Sequence, residues 1–115
     1  EILITLEKVV SGMNIHTASI KRNLESYGVF AATERLLMNL GKRGADRQQM
    51  HEVIRAESLK AWECVQEGKP NPLAQLLSAN KDILTFMDRE EILKCLDASD
   101  YCGDAQAMVK KITQK

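Results

Sequence analysis

The segment DRQQMHEVIRAESLKAWECVQE, residues 46–67, decides the fold class. It opens on Asp46, whose carboxylate can accept from the free N–H groups of a first helical turn. Gln49 stands three positions on, the spacing of a capping box. Met50, Val53, Ile54, Ala61 and Val65 then fall on or near one stripe of a 3.6-residue period, and Leu59 and Trp62 widen it. A stripe that wide predicts a helix buried on more than one side. Gly68-Lys69-Pro70-Asn71-Pro72 closes the segment as a Pro/Gly-rich loop.

The helical period continues in both directions. Towards the N-terminus, Gly41 and Gly44 bracket a tight turn containing Lys42 and Arg43, and Phe30, Leu36, Leu37 and Leu40 supply the apolar face of a helix over 29–39. Tyr27-Gly28 predicts a break before it. Thr17 is the expected N-cap of a separate helix to Ser26, with Ile20 and Leu24 facing inward. Leu3, Leu6, Val10 and Met13, at spacings of three, four and three, form the seam of a further helix that ends near Ser11-Gly12. That seam opens without a capping residue, so it is expected to belong to a longer helix.

Towards the C-terminus, Pro72 suits the first turn of a short helix through Leu76 and Leu77. A second short piece is expected near Lys81–Leu84. Asp88 then caps a helix carrying Ile92, Leu93 and Leu96, residues 97–103 turn, and Met108, Val109 and Ile112 line a terminal helix. Strand alternation and internal repeats are both missing. The expected architecture is all-α, a compact bundle of about six to seven helices.

Composition narrows the function. The chain has 115 residues, one domain's worth, and its 16 basic and 16 acidic side chains cancel. Partners bound by charge neutralisation, such as nucleic acid or an anionic membrane, normally demand a basic surplus. No apolar run approaches the roughly 20 residues that cross a bilayer, and the apolar start lacks the basic flank and cleavage site of a secretory signal. Cys64, Cys95 and Cys102 are odd in number and lack CxxC spacing, which fits plain thiols in a reducing cytoplasm.

Catalytic patterns fail one by one. His51-Glu52 begins like a zinc-protease helix, but Arg55 stands where the second His belongs, so His51 and His16 are expected to be structural or surface histidines. Ser11-Gly12 lacks a nucleophile-elbow context. Gly41-Lys42-Arg43-Gly44 lacks a phosphate loop's continuation, and although its GxxG resembles a KH clamp, no sheet is available to carry one. Lys42, Arg43, Arg47 and Arg55 cluster around a helical turn, superficially like a DNA reader, but Asp46, Glu52 and Glu57 share the stretch. Asp88, Glu90 and Glu91 suit the positive end of a helix dipole. No catalytic, cofactor-binding or metal-binding residue is expected in this chain.

In order and spacing, several stretches resemble the third, C-terminal domain of the adenylosuccinate lyases, in the fumarase/aspartase superfamily. They are VVSGMNIH (9–16), IKRNL (20–24), FAATERLL (30–37), GADRQQMHEVIR (44–55), Leu76-Leu77 and LDASDY (96–101). His16-Thr17 stands where the family commonly has Tyr-Pro, and Ala98 where it has Pro. The resemblance implies a cytoplasmic homotetramer that eliminates fumarate from adenylosuccinate, giving AMP, and from SAICAR, giving AICAR. Its active sites form between subunits in a central bundle. The resemblance also implies a general-acid His and a general-base Ser on a loop with an SSxMPxKxNP-like signature, which this sequence does not contain. Residues 1–13 are then expected to be the tail of a central-bundle helix, and 14–115 a C-terminal helical domain that caps the bundle and shapes the active-site entrance. Arg22 and Arg35 become candidates for substrate-phosphate or subunit contacts, with surface salt bridging the plainer role. The alternatives are the C-terminal domain of another lyase of the superfamily, acting on argininosuccinate or carboxymuconate, and a free-standing helical interaction or DNA-binding module.

Overall fold

A computed structural model describes residues 1–99 and 101–114. Among the described residues it contains seven helices and no strand: α1 (Ile2–Ser11), α2 (Thr17–Lys42), α3 (Arg47–Gln66), α4 (Leu73–Ala79), α5 (Lys81–Leu84), α6 (Arg89–Leu96) and α7 (Ala105–Thr113). The all-α expectation holds, and the boundaries of α1, α3, α5, α6 and α7 fall close to those read from the sequence.

The main difference is α2. The expected break at Tyr27-Gly28 is absent, and one helix of 26 residues replaces two. Glycine inside a helix costs about 1 kcal/mol relative to alanine, too little to stop a helix that gains packing on both sides of it. Gly28 is buried for a different reason. A Cβ built there would lie 3.3 Å from the Cβ of Ala98 and 3.1 Å from Cδ1 of Leu24, so the missing side chain is what admits the segment after α6. Gly41 is likewise helical. Thr17 opens the helix from inside, with His16 at the cap position and no side-chain cap bond.

The turn between α2 and α3 follows from Gly44, at φ +87°. In that left-handed conformation the Gly44 N–H donates to the Gly41 carbonyl and the Ala45 N–H to the Leu40 carbonyl, each at 3.1 Å, and the buried side chains of Ala45 and Leu40 share the core. This is a Schellman ending. Gly68 (φ +77°) repeats it after α3, with Lys69 N–H donating to the Cys64 carbonyl at 2.9 Å. Asp46 caps α3 by accepting from the Gln49 N–H at 2.8 Å, but the return bond of a capping box is not formed. The complete box is at α6. Asp88 accepts from the Glu91 N–H at 2.8 Å, and Glu91 accepts from the Asp88 N–H at 3.2 Å.

The core lies where α3, α4 and α6 pack on the C-terminal half of α2, with α5 against α3 and α4. Leu36, Leu40, Met50, Leu73, Leu77, Ile83 and Ile92 are fully buried there. Burial of such side chains stabilises by about 1.5–3 kcal/mol each before chain entropy is set against it. Leu59 and Trp62 lie outside, at 53% and 43% exposure, so α3 buries one face and not the wide stripe expected. Pro72 precedes α4 and does not enter it. Beside it, Asn71 accepts from the Leu73 N–H at 2.9 Å and donates to the Ser26 carbonyl at 2.8 Å, tying the loop to α2.

Neither α1 nor α7 contains a buried residue. The molecule measures 58 × 35 × 23 Å, with a radius of gyration of 18.7 Å. A chain of this length packed into a ball would have a radius of gyration of about 13 Å.

Candidate functional site

The sequence placed four cations around the α2–α3 turn, and the structure matches three of them to carboxylates. Arg43 donates to both Glu91 oxygens, at 2.8 and 2.6 Å, and to the Phe86 carbonyl at 3.1 Å. Arg47 lies 3.5 Å from Glu34, and Arg55 donates to Glu52 at 3.0 Å. The Arg43 guanidinium holds the Glu91 carboxyl below its ordinary range, helped by the Asp88 N–H, and Glu91 in turn raises Arg43. Arg55 lowers Glu52 in the same way, with His51 adding a smaller effect. Arg43–Glu91 and Arg47–Glu34 pair charges between helices and Arg55–Glu52 within α3, so the basic cluster is offset by carboxylates and does not stand as the cationic ridge a phosphate backbone selects.

The remaining candidates disperse. His51 sits on the first turns of α3 with Nδ1 3.8 Å from Glu52, exposed to solvent, and His16 is exposed in the connector before α2. His51 and Arg55 line a shallow cleft of about 250 Å³ with Thr33, Glu34, Leu37, Ile54 and Ser58, and His16 does not contribute to it. Thr33 already donates to the Phe30 carbonyl, and none of the polar lining is buried. The cleft therefore lacks the enclosed, preorganised polar groups of a reaction centre. The three cysteines are unpaired thiols, with Cys64 and Cys95 half-buried and Cys102 exposed. Among the described residues no group of His, Cys, Asp and Glu is arranged to hold a metal ion.

Arg22 is exposed on the N-terminal half of α2. Arg35 lies over the Tyr101 ring, 3.8 Å from its centroid, while the Tyr101 hydroxyl donates to the Cys95 carbonyl at 3.1 Å. With Ala98 seated at Gly28, this clips the chain between α6 and α7 onto α2. Asp97 accepts from the Ser99 N–H at 2.9 Å, and that bond, with a second from the Ser99 side chain, lowers the Asp97 carboxyl. Asp100, in the middle of the LDASDY stretch, lies outside the described residues.

Several helices instead carry apolar surface without a cover. Leu3, Leu6, Val10 and Met13 are all more than half exposed. Ile20 and Leu24, expected to face inward, are exposed at 56% and 47%, and Tyr27 one turn further on is exposed as well. Periodicity had found the apolar stripe of this half of α2 correctly. It could not tell which elements of the same chain would reach it: Trp62 of α3 meets Tyr27 at its end, while Ile20 and Leu24 stay largely exposed. Tyr27 and Phe30 flank Trp62, with ring centroids 6.1 and 5.6 Å apart. On α7, Ala105, Met108, Val109 and Ile112 share a face at i, i+3, i+4 and i+7, also exposed. Apolar faces of this kind mark surfaces that another chain or element covers more often than they mark free surface.

Comparison with known proteins gives this surface a context. Residues 30–112 match the family model described as adenylosuccinate lyase C-terminus. Over 99% of its length the chain is 32% identical to the adenylosuccinate lyase of Schizosaccharomyces pombe and 31% identical to that of Saccharomyces cerevisiae. It is 27% identical, over 98% of its length, to the enzyme of Archaeoglobus fulgidus. It covers 23%, 23% and 24% of those three proteins respectively, so the chain spans about a quarter of the length of the curated relatives it matches.

Proposed function

The chain belongs to the adenylosuccinate lyase C-terminus family, and on that premise we propose that it serves as the C-terminal domain of an adenylosuccinate lyase. The whole enzyme eliminates fumarate from adenylosuccinate to give AMP, and from SAICAR to give AICAR, and it works as a cytoplasmic homotetramer. In this reading residues 1–13 are the tail of a central-bundle helix. Residues 14–115 cap the bundle and shape the entrance to the active site. The general acid and general base come from the rest of the enzyme, and this domain supplies neither.

The observation that carries the reading is the match over 30–112. The bare α1 supports it. A helix of 10 residues with nothing buried is marginal in water, because helices shorter than about 12–15 residues gain too few bonds to offset nucleation. Its seam at spacings of three, four and three is the pattern that seats a helix against others in a bundle. The paired arginines and zero net charge count against the nucleic-acid alternative.

The test is a lyase assay on the full-length enzyme that carries this domain, following release of AMP and fumarate from adenylosuccinate, with the 115-residue chain alone in parallel. Turnover by the full enzyme and none by the chain is expected. Cleavage of a different fumarate-yielding substrate would keep the superfamily and replace the substrate. A full enzyme with no lyase activity would overturn the proposal.

A further inference from the structure

We draw no further inference here: the strongest candidate, the apolar face that Ala105, Met108, Val109 and Ile112 present along α7 just beyond the Tyr101 clip on α2, carries nothing because nothing in the structure shows what covers it.

Discussion

Replacing Gly28 by alanine sets two effects of known size against each other. Alanine is favoured over glycine inside a helix by about 1 kcal/mol, and Gly28 lies well inside α2. Against this, the new Cβ would meet Leu24 Cδ1 at 3.1 Å and the Ala98 Cβ at 3.3 Å. The Leu24 contact is the tip of a side chain that is 47% exposed, so it can swing away. Ala98 yields less readily, since Asp97, Ser99 and Tyr101 hold its segment. The expected net effect of Gly28→Ala is a stabilisation between zero and about 1 kcal/mol. Gly28→Val adds branches that cannot avoid Ala98 and should destabilise by about 1–3 kcal/mol, the usual cost of overpacking. Combining Gly28→Ala with Ala98→Gly removes the tight contact, so the double-mutant cycle should show a favourable coupling of about 0.5 kcal/mol or more. Urea unfolding reads all three by far-UV circular dichroism and by the fluorescence of Trp62, the single tryptophan, which packs against Phe30 across the α2–α3 interface. Suppose Gly28→Ala costs more than about 1 kcal/mol whatever stands at 98. Then Gly28 holds a conformation closed to other residues, and the continuous α2 is wrong.

Four further outcomes are expected. Leu36→Ala, at a side chain with no exposure, should cost about 2–5 kcal/mol in the same urea assay. Leu59→Ala should stay within about 0.5 kcal/mol, and the reverse order would refute the burial of Leu36 in α2 and the exposure of Leu59 on α3. Because Arg43 and then the Asp88 N–H depress the folded-state pKa of Glu91, its contribution is complete above the ordinary glutamate value of 4.5 and is lost as pH falls through the folded value. Stability should therefore decline on the acid side, and Glu91→Gln should flatten that limb; an unchanged acid limb would sink the idea. The uncovered seam of Leu3, Leu6, Val10 and Met13 should make the isolated chain self-associate, with Leu6→Glu and Val10→Glu weakening association in sedimentation equilibrium. A strict monomer at high concentration, before any substitution, would contradict it.

The sequence was most informative where local chemistry decides the outcome. Asp88 with Glu91, Asp46, Gly44 and Gly68 each mark a helix end through a bond or a backbone angle that few residue types can supply, and the structure places ends at all of them. It was less informative where a distant partner decides. Gly28 reads as a break because glycine breaks helices on average, and only Ala98, seventy positions away, explains why it sits inside one. Arg43 read as part of a basic cluster because Glu91 is far off in sequence, and the fold makes the pair. Ile20, Leu24 and Trp62 were correctly marked as apolar positions, but periodicity reports a face and not its cover. The candidate site has the same limit. The absence of a catalytic pattern was read from motif spacing, while the bare faces of α1, α2 and α7 appear only once it is known which stripes the core has used.

The elongation of the molecule has a hydrodynamic consequence. With axes of 58 × 35 × 23 Å, the single chain presents somewhat more friction to solvent than a sphere of equal mass. It diffuses slowly, tumbles anisotropically and leaves a sizing column early, where a larger globular protein would. A monomer thus elutes ahead of its mass, and measurements that weigh the particle, such as sedimentation equilibrium or light scattering, separate shape from association.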